Sequence, residues 1–168
     1  MIEFLIPSLE QLEFRQSLLN DAETMAFNQK WGGVVGFPRQ KWASWYERWI
    51  LNAEQEKFYR YVFASEQHCF VGEAAWHFSR EDGAYLIDIL IHSQYRGRGY
   101  GGQTLDLLCR RAREQGIAEL RDGIALDNPS VHMFLKNGFT ELWRDQERIM
   151  VSKCFEKSKP IAAQKTGL

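Results

Sequence analysis

Apolar residues crowd Ile2-Glu3-Phe4-Leu5-Ile6 and stop at Pro7, which predicts a brief first strand. Ser8 and Gln11 stand at capping-box spacing ahead of a helix over about 8–20. A glycine-rich loop with aromatic residues follows, around Trp31-Gly32-Gly33, and Pro38 suits the first turn of a second helix. There Trp42, Trp45, Tyr46, Trp49 and Ile50 fall at i, i+3, i+4, i+7 and i+8, one helical face over about 39–53. The period then changes to two. Strands are predicted at 58–63, 69–78 and 85–92, the last two joined as a hairpin through Ser79-Arg80-Glu81-Asp82-Gly83. Leu105, Leu108, Cys109 and Ala112 form the stripe of a helix that reaches about Gln115 and stops at Gly116. A strand at 117–126 follows. Asn128-Pro129 opens a short helix with Val131, Phe134 and Leu135 on its inner side, and strands at 139–143 and 148–151 close the pattern.

This order makes one mixed α/β sheet with helices on both sides, a single domain over 1–156. The stretch 157–168 has little to bury and is expected to be a loose tail. With 168 residues, 45% hydrophobic and 26% charged, the chain has the composition of an ordinary globular protein. A net charge of -1 argues against a nucleic-acid partner. Arginines 96, 98, 110, 111 and 113 make a local basic cluster on that neutral background, which suits a small anionic ligand. The three cysteines, 69, 109 and 154, have no metal-binding spacing, so no metal is expected. The N-terminus lacks the pattern of a signal peptide, and no apolar run nears the roughly 18 residues of a membrane helix. The expectation is a cytoplasmic protein with reduced thiols and no membrane partner.

The chemistry concentrates at Arg96-Gly97-Arg98-Gly99-Tyr100-Gly101-Gly102, between a predicted strand and a helix. Glycines there let the backbone approach a ligand, and the free amides of the helix's first turn point at an anion. A P-loop is excluded because Gln103-Thr104, not Lys-Ser or Lys-Thr, follows the last glycine. Gly97, Gly99 and Gly102 satisfy G-x-G-x-x-G, but that fingerprint belongs at the first strand–helix turn of a doubly wound sheet, and here 96 residues precede Gly97.

Arg96, Gly99 and Gly101 spell R-x-x-G-x-G, and in this the sequence resembles the GNAT family of N-acetyltransferases. Downstream, Asp127-Asn128-Pro129-Ser130-Val131-His132-Met133-Phe134-Leu135-Lys136-Asn137-Gly138-Phe139 is similar to that family's second signature. The resemblance implies a mostly antiparallel central sheet of about six to seven strands, flanked by about four helices and splayed at an acetyl-CoA site. It implies an acyltransferase moving acetyl from acetyl-CoA to an amine of a small molecule or peptide, by direct attack in a ternary complex. The alternative is a catalytically weak acyl-CoA-binding module of the same fold. On the acetyl-CoA side it places Ile89, Leu90, Ile91, Arg96, Gly97, Arg98, Gly99, Tyr100, Gly101, Gly102, Asn128, Phe134 and Lys136. The pantetheine arm would lie between splayed strands. The protein would be a monomer or homodimer.

The family's tyrosine acid falls on Phe134, which has no proton to give, and its common base position falls on Tyr85. If the hairpin turn centres near residue 81, Glu73, Ala75 and His77 oppose Ile89, Ile87 and Tyr85. Alternation then puts Glu73, His77, Tyr85 and Ile89 on one face and Asp88 on the other. Glu73 is the first candidate base. Asp88, an acid in an otherwise apolar strand, is second, and Tyr85 is third. For the acceptor side the candidates are Asn28, Trp31, Phe37, Trp42, Trp45, Tyr46 and His77, whose aromatics suit cation–π contact with an amine. The Trp31-Gly32-Gly33 loop is expected to act as a lid.

Overall fold

The computed structural model describes residues 1–53 and 56–155, so the expected tail at 157–168 lies outside the described residues. Seven strands form one sheet in the order β1-β2-β3-β4-β5-β7-β6. They are β1 (Ile2–Leu5), β2 (Lys57–Ala64), β3 (Cys69–Ser79), β4 (Ala84–Ile91), β5 (Glu119–Ala125), β6 (Thr140–Arg144) and β7 (Arg148–Cys154). Only β4 and β5 run parallel, and they pair only at Tyr85↔Leu120 and Leu86↔Arg121. Beyond that pair they diverge, which leaves an opening in the middle of the sheet. Backbone groups of β4 that point away from β3 have no strand to pair with there.

Each face of the sheet carries its own core. On one, α3 (Tyr100–Glu114) lays Leu105, Leu108, Cys109 and Ala112 over Trp76, Ile87, Leu120 and Ile149, and α4 (Ser130–Lys136) adds Phe134. On the other, α1 (Leu12–Asn20) packs Leu12 and Leu19 with Phe37, Trp42, Trp45, Tyr59 and Tyr61. Each fully buried large apolar side chain contributes about 1.5–3 kcal/mol relative to exposure. The expected capping box closes reciprocally: the Ser8 N–H donates to Gln11 Oε1 at 2.8 Å, and the Gln11 N–H to Ser8 Oγ at 3.3 Å. Regular helix nevertheless begins only at Leu12. The second helix is less regular than its aromatic period suggests. α2 (Trp42–Tyr46) is preceded by a 3₁₀ turn over Arg39–Lys41 and continues as π-helix over Glu47–Leu51.

The β3–β4 hairpin corrects the expected register by one residue. Glu73 opposes Leu90, Ala75 opposes Asp88 and His77 opposes Leu86. The ladder closes at Ser79↔Ala84, so the turn centres between Glu81 and Asp82 rather than on residue 81. Ser79 Oγ donates to Asp82 Oδ2 at 2.6 Å and accepts the Asp82 N–H at 3.2 Å, which fixes that loop length. A shift of one residue moves every side chain of a strand to the other face. Asp88 therefore shares a face with Glu73 and His77, beneath α1 and α2. Tyr85 leaves that face and packs edge-on to Phe78, with ring centroids 5.2 Å apart, beside the α3 core.

Candidate functional site

The glycine stretch forms a cradle of backbone amides at the head of α3. Gly97 and Gly99 take left-handed φ values of +75° and +82°, conformations that cost any side-chain-bearing residue energy. Among the described residues, the N–H groups of residues 97–102 donate to no acceptor. They stand where the helix dipole is positive, so the arrangement can hold an anion such as a pyrophosphate. A Cβ built on Gly102 meets nothing within 4 Å, whereas one on Gly101 stands 3.0 Å from the Met133 sulfur of α4.

Both loop arginines make contacts within the protein. Arg96 turns back onto the segment after α1, where Nη1 donates to the Glu23 carbonyl at 3.1 Å and Nη2 to the Thr24 carbonyl. Its guanidinium also lies 5.7 Å from the Phe27 ring centre. That segment is clasped a second time. Asp21 Oδ2 accepts the Thr24 N–H at 2.8 Å and the Ser93 hydroxyl at 3.0 Å, and Thr24 Oγ1 accepts the Ser93 N–H at 2.9 Å. The Thr24 hydroxyl and N–H hold the Asp21 carboxyl down to about 2. Arg98 is exposed, lies 5.7 Å over the Tyr95 ring and does not line the cleft.

One cleft of about 1280 Å³ runs from the cradle through the opening between β4 and β5 to the face beneath α1. From the expected donor side its walls include Ile89, Leu90, Ile91, Arg96, Gly97, Gly99, Tyr100, Gly101, Gly102, Asn128, Phe134 and Lys136. Asn128 Oδ1 accepts the Ser130 N–H at 2.9 Å just before α4, and Phe134 is buried, its ring edge-on to Phe139 at 5.1 Å. From the expected acceptor side the cleft takes in Asn28, Trp31, Trp45 and His77. Phe37, Trp42 and Tyr46 do not line it, which corrects their expected placement. Phe37 and Trp42 are core residues, joined by a bond from Trp42 Nε1 to the Phe37 carbonyl at 3.2 Å. Tyr46 donates its hydroxyl to the Pro7 carbonyl at 3.0 Å. For Trp42 and Tyr46 the helical period served packing within the protein.

The carboxylates of the cleft stand in different states. Glu73 is buried and engaged on both oxygens: Arg15 Nη1 donates to Oε1 and the Tyr59 hydroxyl to Oε2. Burial opposes the Arg15 charge, yet Glu73 and Tyr59 more than offset it and hold the guanidinium above its ordinary value. Arg15 also lies 4.7 Å over the Trp45 ring. Asp88 makes no hydrogen bond or ion pair among the described residues, and it reaches solvent through the cleft while protein encloses its other sides. That enclosure raises its carboxyl above the ordinary range; His77 pulls it down and the Glu73 charge pushes it up. Asp122 lies one residue past the last β4–β5 pair, on the lip of the opening. Burial holds its carboxyl well above the ordinary range, the Asp88 charge adds to this, and the Gly123 N–H opposes it.

Arg15, Tyr59, Trp49 and Asp122 line this cleft although none of them was a site candidate from the sequence. Two of them left a trace there. Arg15 falls between Leu12 and Leu19 on the inward face of α1, and Asp122 falls between Leu120 and Ile124 at a spacing of two on a buried strand face. A charged residue inside an apolar period is the informative exception.

Among the described residues no helix is long and apolar enough to cross a membrane, and no group of three or more His, Cys, Asp or Glu could hold a metal ion. The family model described as Acetyltransferase (GNAT) family matches residues 16–139. An uncharacterised N-acetyltransferase of Methanocaldococcus jannaschii is 24% identical over 110 residues. That alignment covers 62% of this chain and 48% of the relative, so the chain spans about half the length of the curated relative it matches. Solved structures with the same fold include yncA of Salmonella typhimurium with its cofactor acetyl-CoA, at TM-score 0.71 and 20% identity, covering 96% of this chain and 98% of that one. Spermidine N-acetyltransferase of Vibrio cholerae, in complex with CoA and spermine, aligns at TM-score 0.72 and 16% identity over 91% of this chain and 95% of its own. Ribosomal-protein-alanine N-acetyltransferase of Brucella melitensis aligns at TM-score 0.70 and 19% identity, over 92% and 99%.

Proposed function

Since the chain belongs to the Acetyltransferase (GNAT) family, we propose that it transfers an acetyl group from acetyl-CoA to a primary amine of a small molecule or peptide, with donor and acceptor bound together. The observation that carries this reading is the continuity of the cleft, from the unpaired amides of residues 97–102, through the β4–β5 opening, to the free carboxylate of Asp88. When bound, acetyl-CoA supplies the activated acetyl group. The amides at the head of α3 hold its pyrophosphate, and the unpaired backbone of β4 holds its arm.

Asp88 is the base. The attacking amine sheds a proton as it bonds to the carbonyl carbon, and a carboxylate raised above its ordinary range accepts that proton better than an ordinary one. Glu73 serves a different purpose, because protonating it would break its pair with Arg15. Trp31 and Trp49 line the way in for a cationic acceptor, whereas the Trp45 ring already carries the Arg15 guanidinium.

The test is a thiol-release assay with acetyl-CoA against polyamines, amino acids, aminoglycosides and peptides. Amine-dependent release, with acetylated product seen by mass spectrometry, is the expected result. Tight acetyl-CoA binding without release for any acceptor would instead favour the acyl-CoA-binding module, to which the buried, protonless Phe134 ring lends support.

A further inference from the structure

The transfer reading leaves one proton without a source. The departing CoA sulfur leaves as a thiolate, and Phe134, at the family's acid position, has no proton to give. Three features point to another donor. Asp122 stands where the sheet opens, one residue beyond the last pair that joins β4 to β5. Alternation along β5 puts it on the side of Leu120 and Ile124, facing α3 and α4, whereas Asp88 on β4 is on the side of Glu73 and His77, facing α1 and α2. Both line the one cleft, so a thioester lying in the opening has Asp88 on its acceptor side and Asp122 on its donor side.

On this basis, and resting on the transfer reading above, we propose that Asp122 is the general acid that protonates the departing CoA thiolate. The amine nitrogen bonds to the thioester carbonyl carbon and gives its extra proton to Asp88. The carbon–sulfur bond breaks and its electron pair goes to sulfur. Sulfur takes the proton from Asp122, leaving a carboxylate there and a carboxylic acid at Asp88. The Asp88 proton then returns to Asp122, directly or through solvent, so amine and acetyl-CoA become amide and CoA thiol with no other reactant. Environment decides the assignment. Asp122 has the more strongly raised carboxyl, and the Asp88 charge keeps it so, which separates two like groups into acid and base. The other charged or titratable groups on the cleft wall are Arg15 of α1, Tyr59 of β2, Glu73 and His77 of β3, Glu81 and Asp82 of the hairpin turn, Tyr95 and Arg96 before the cradle, Tyr100 of α3, Lys136 of α4 and Arg148 of β7. Of these Glu73 is paired to Arg15, and the Arg148 guanidinium lies 5.1 Å over the Trp143 ring.

The first test needs neither turnover nor substitution at Asp122. In the full chain, followed by carbon NMR of the carboxyl groups, Asp122 should titrate above the ordinary carboxylate range and move down in Asp88→Asn. Titration of Asp122 within the ordinary range overturns the proposal. The second test compares Asp122→Asn with the parent. The expected result is a kcat lower by about 100-fold or more, a KM for acetyl-CoA unchanged within about threefold, and loss of the alkaline limb of kcat. A parental kcat and pH profile overturns it. Absence of turnover in the parent would count against the transfer reading, whereas an ordinary Asp122 titration would count against the acid alone.

Discussion

Arg15, Glu73 and Tyr59 show how a charge can sit in this site without reacting. The ion pair is largely buried, with side chains 18% and 11% exposed, and aromatic rings surround the guanidinium. Arg15→Met would leave the Glu73 carboxylate unpaired, and chemical denaturation should show a loss of about 3–5 kcal/mol. Asp88 has no such partner. Asp88→Asn should lower kcat by about 100-fold or more in steady-state assays while leaving acetyl-CoA affinity near the parent's, because it faces the acceptor side. Asp122 gives a signature in stability as well. Its carboxyl is raised on folding, so folding takes up a proton between the ordinary carboxylate range and the raised value. Its contribution is fully present below the ordinary range and is lost as pH rises through the raised value. Thermal melts should therefore show Asp122→Asn matching the parent at about pH 3 and exceeding it progressively above about pH 5.

At the scale of elements, the site is made by a strand pair that stops pairing and a helix that begins on glycine. The segment between α1 and α2 is tied to this junction by Arg96 and by the Asp21–Thr24–Ser93 clasp, so the acceptor side and the anion cradle share an anchor. Gly102 isolates the cradle from the fold, since a Cβ there meets no protein atom within 4 Å. Gly102→Val should leave the melting temperature near the parent's and weaken acetyl-CoA binding by about tenfold or more by calorimetry, the cost of about one charge-assisted hydrogen bond. Unchanged affinity would move the cradle elsewhere. Gly101 makes a poorer probe, because its Cβ would press on Met133.

Across the whole molecule, the sequence pattern conveyed the element order and the seven strands, because strict period-two and helical stripes reflect burial directly. The glycine cradle was legible as well, since left-handed turns at Gly97 and Gly99 leave a compositional mark. Pairing register was not. A turn centre displaced by half a residue moved Tyr85 off the Glu73 face and brought Asp88 onto it, and no residue type inside Ser79–Gly83 announced that offset. The aromatic period over 42–50 was equally ambiguous between core and acceptor wall, and the structure divides it, with Trp42 in the core and Trp45 and Trp49 on the cleft. The cleft itself depends on long-range assembly, bringing together Arg15 from one end of the chain and Arg148 from the other. Under the proposed transfer, that continuity lets donor and acceptor bind together. The most direct measurement is a matrix of initial rates of thiol release, varying acetyl-CoA and the responding amine together. Direct attack in a ternary complex predicts double-reciprocal lines that intersect; parallel lines, or release independent of the amine, would contradict it.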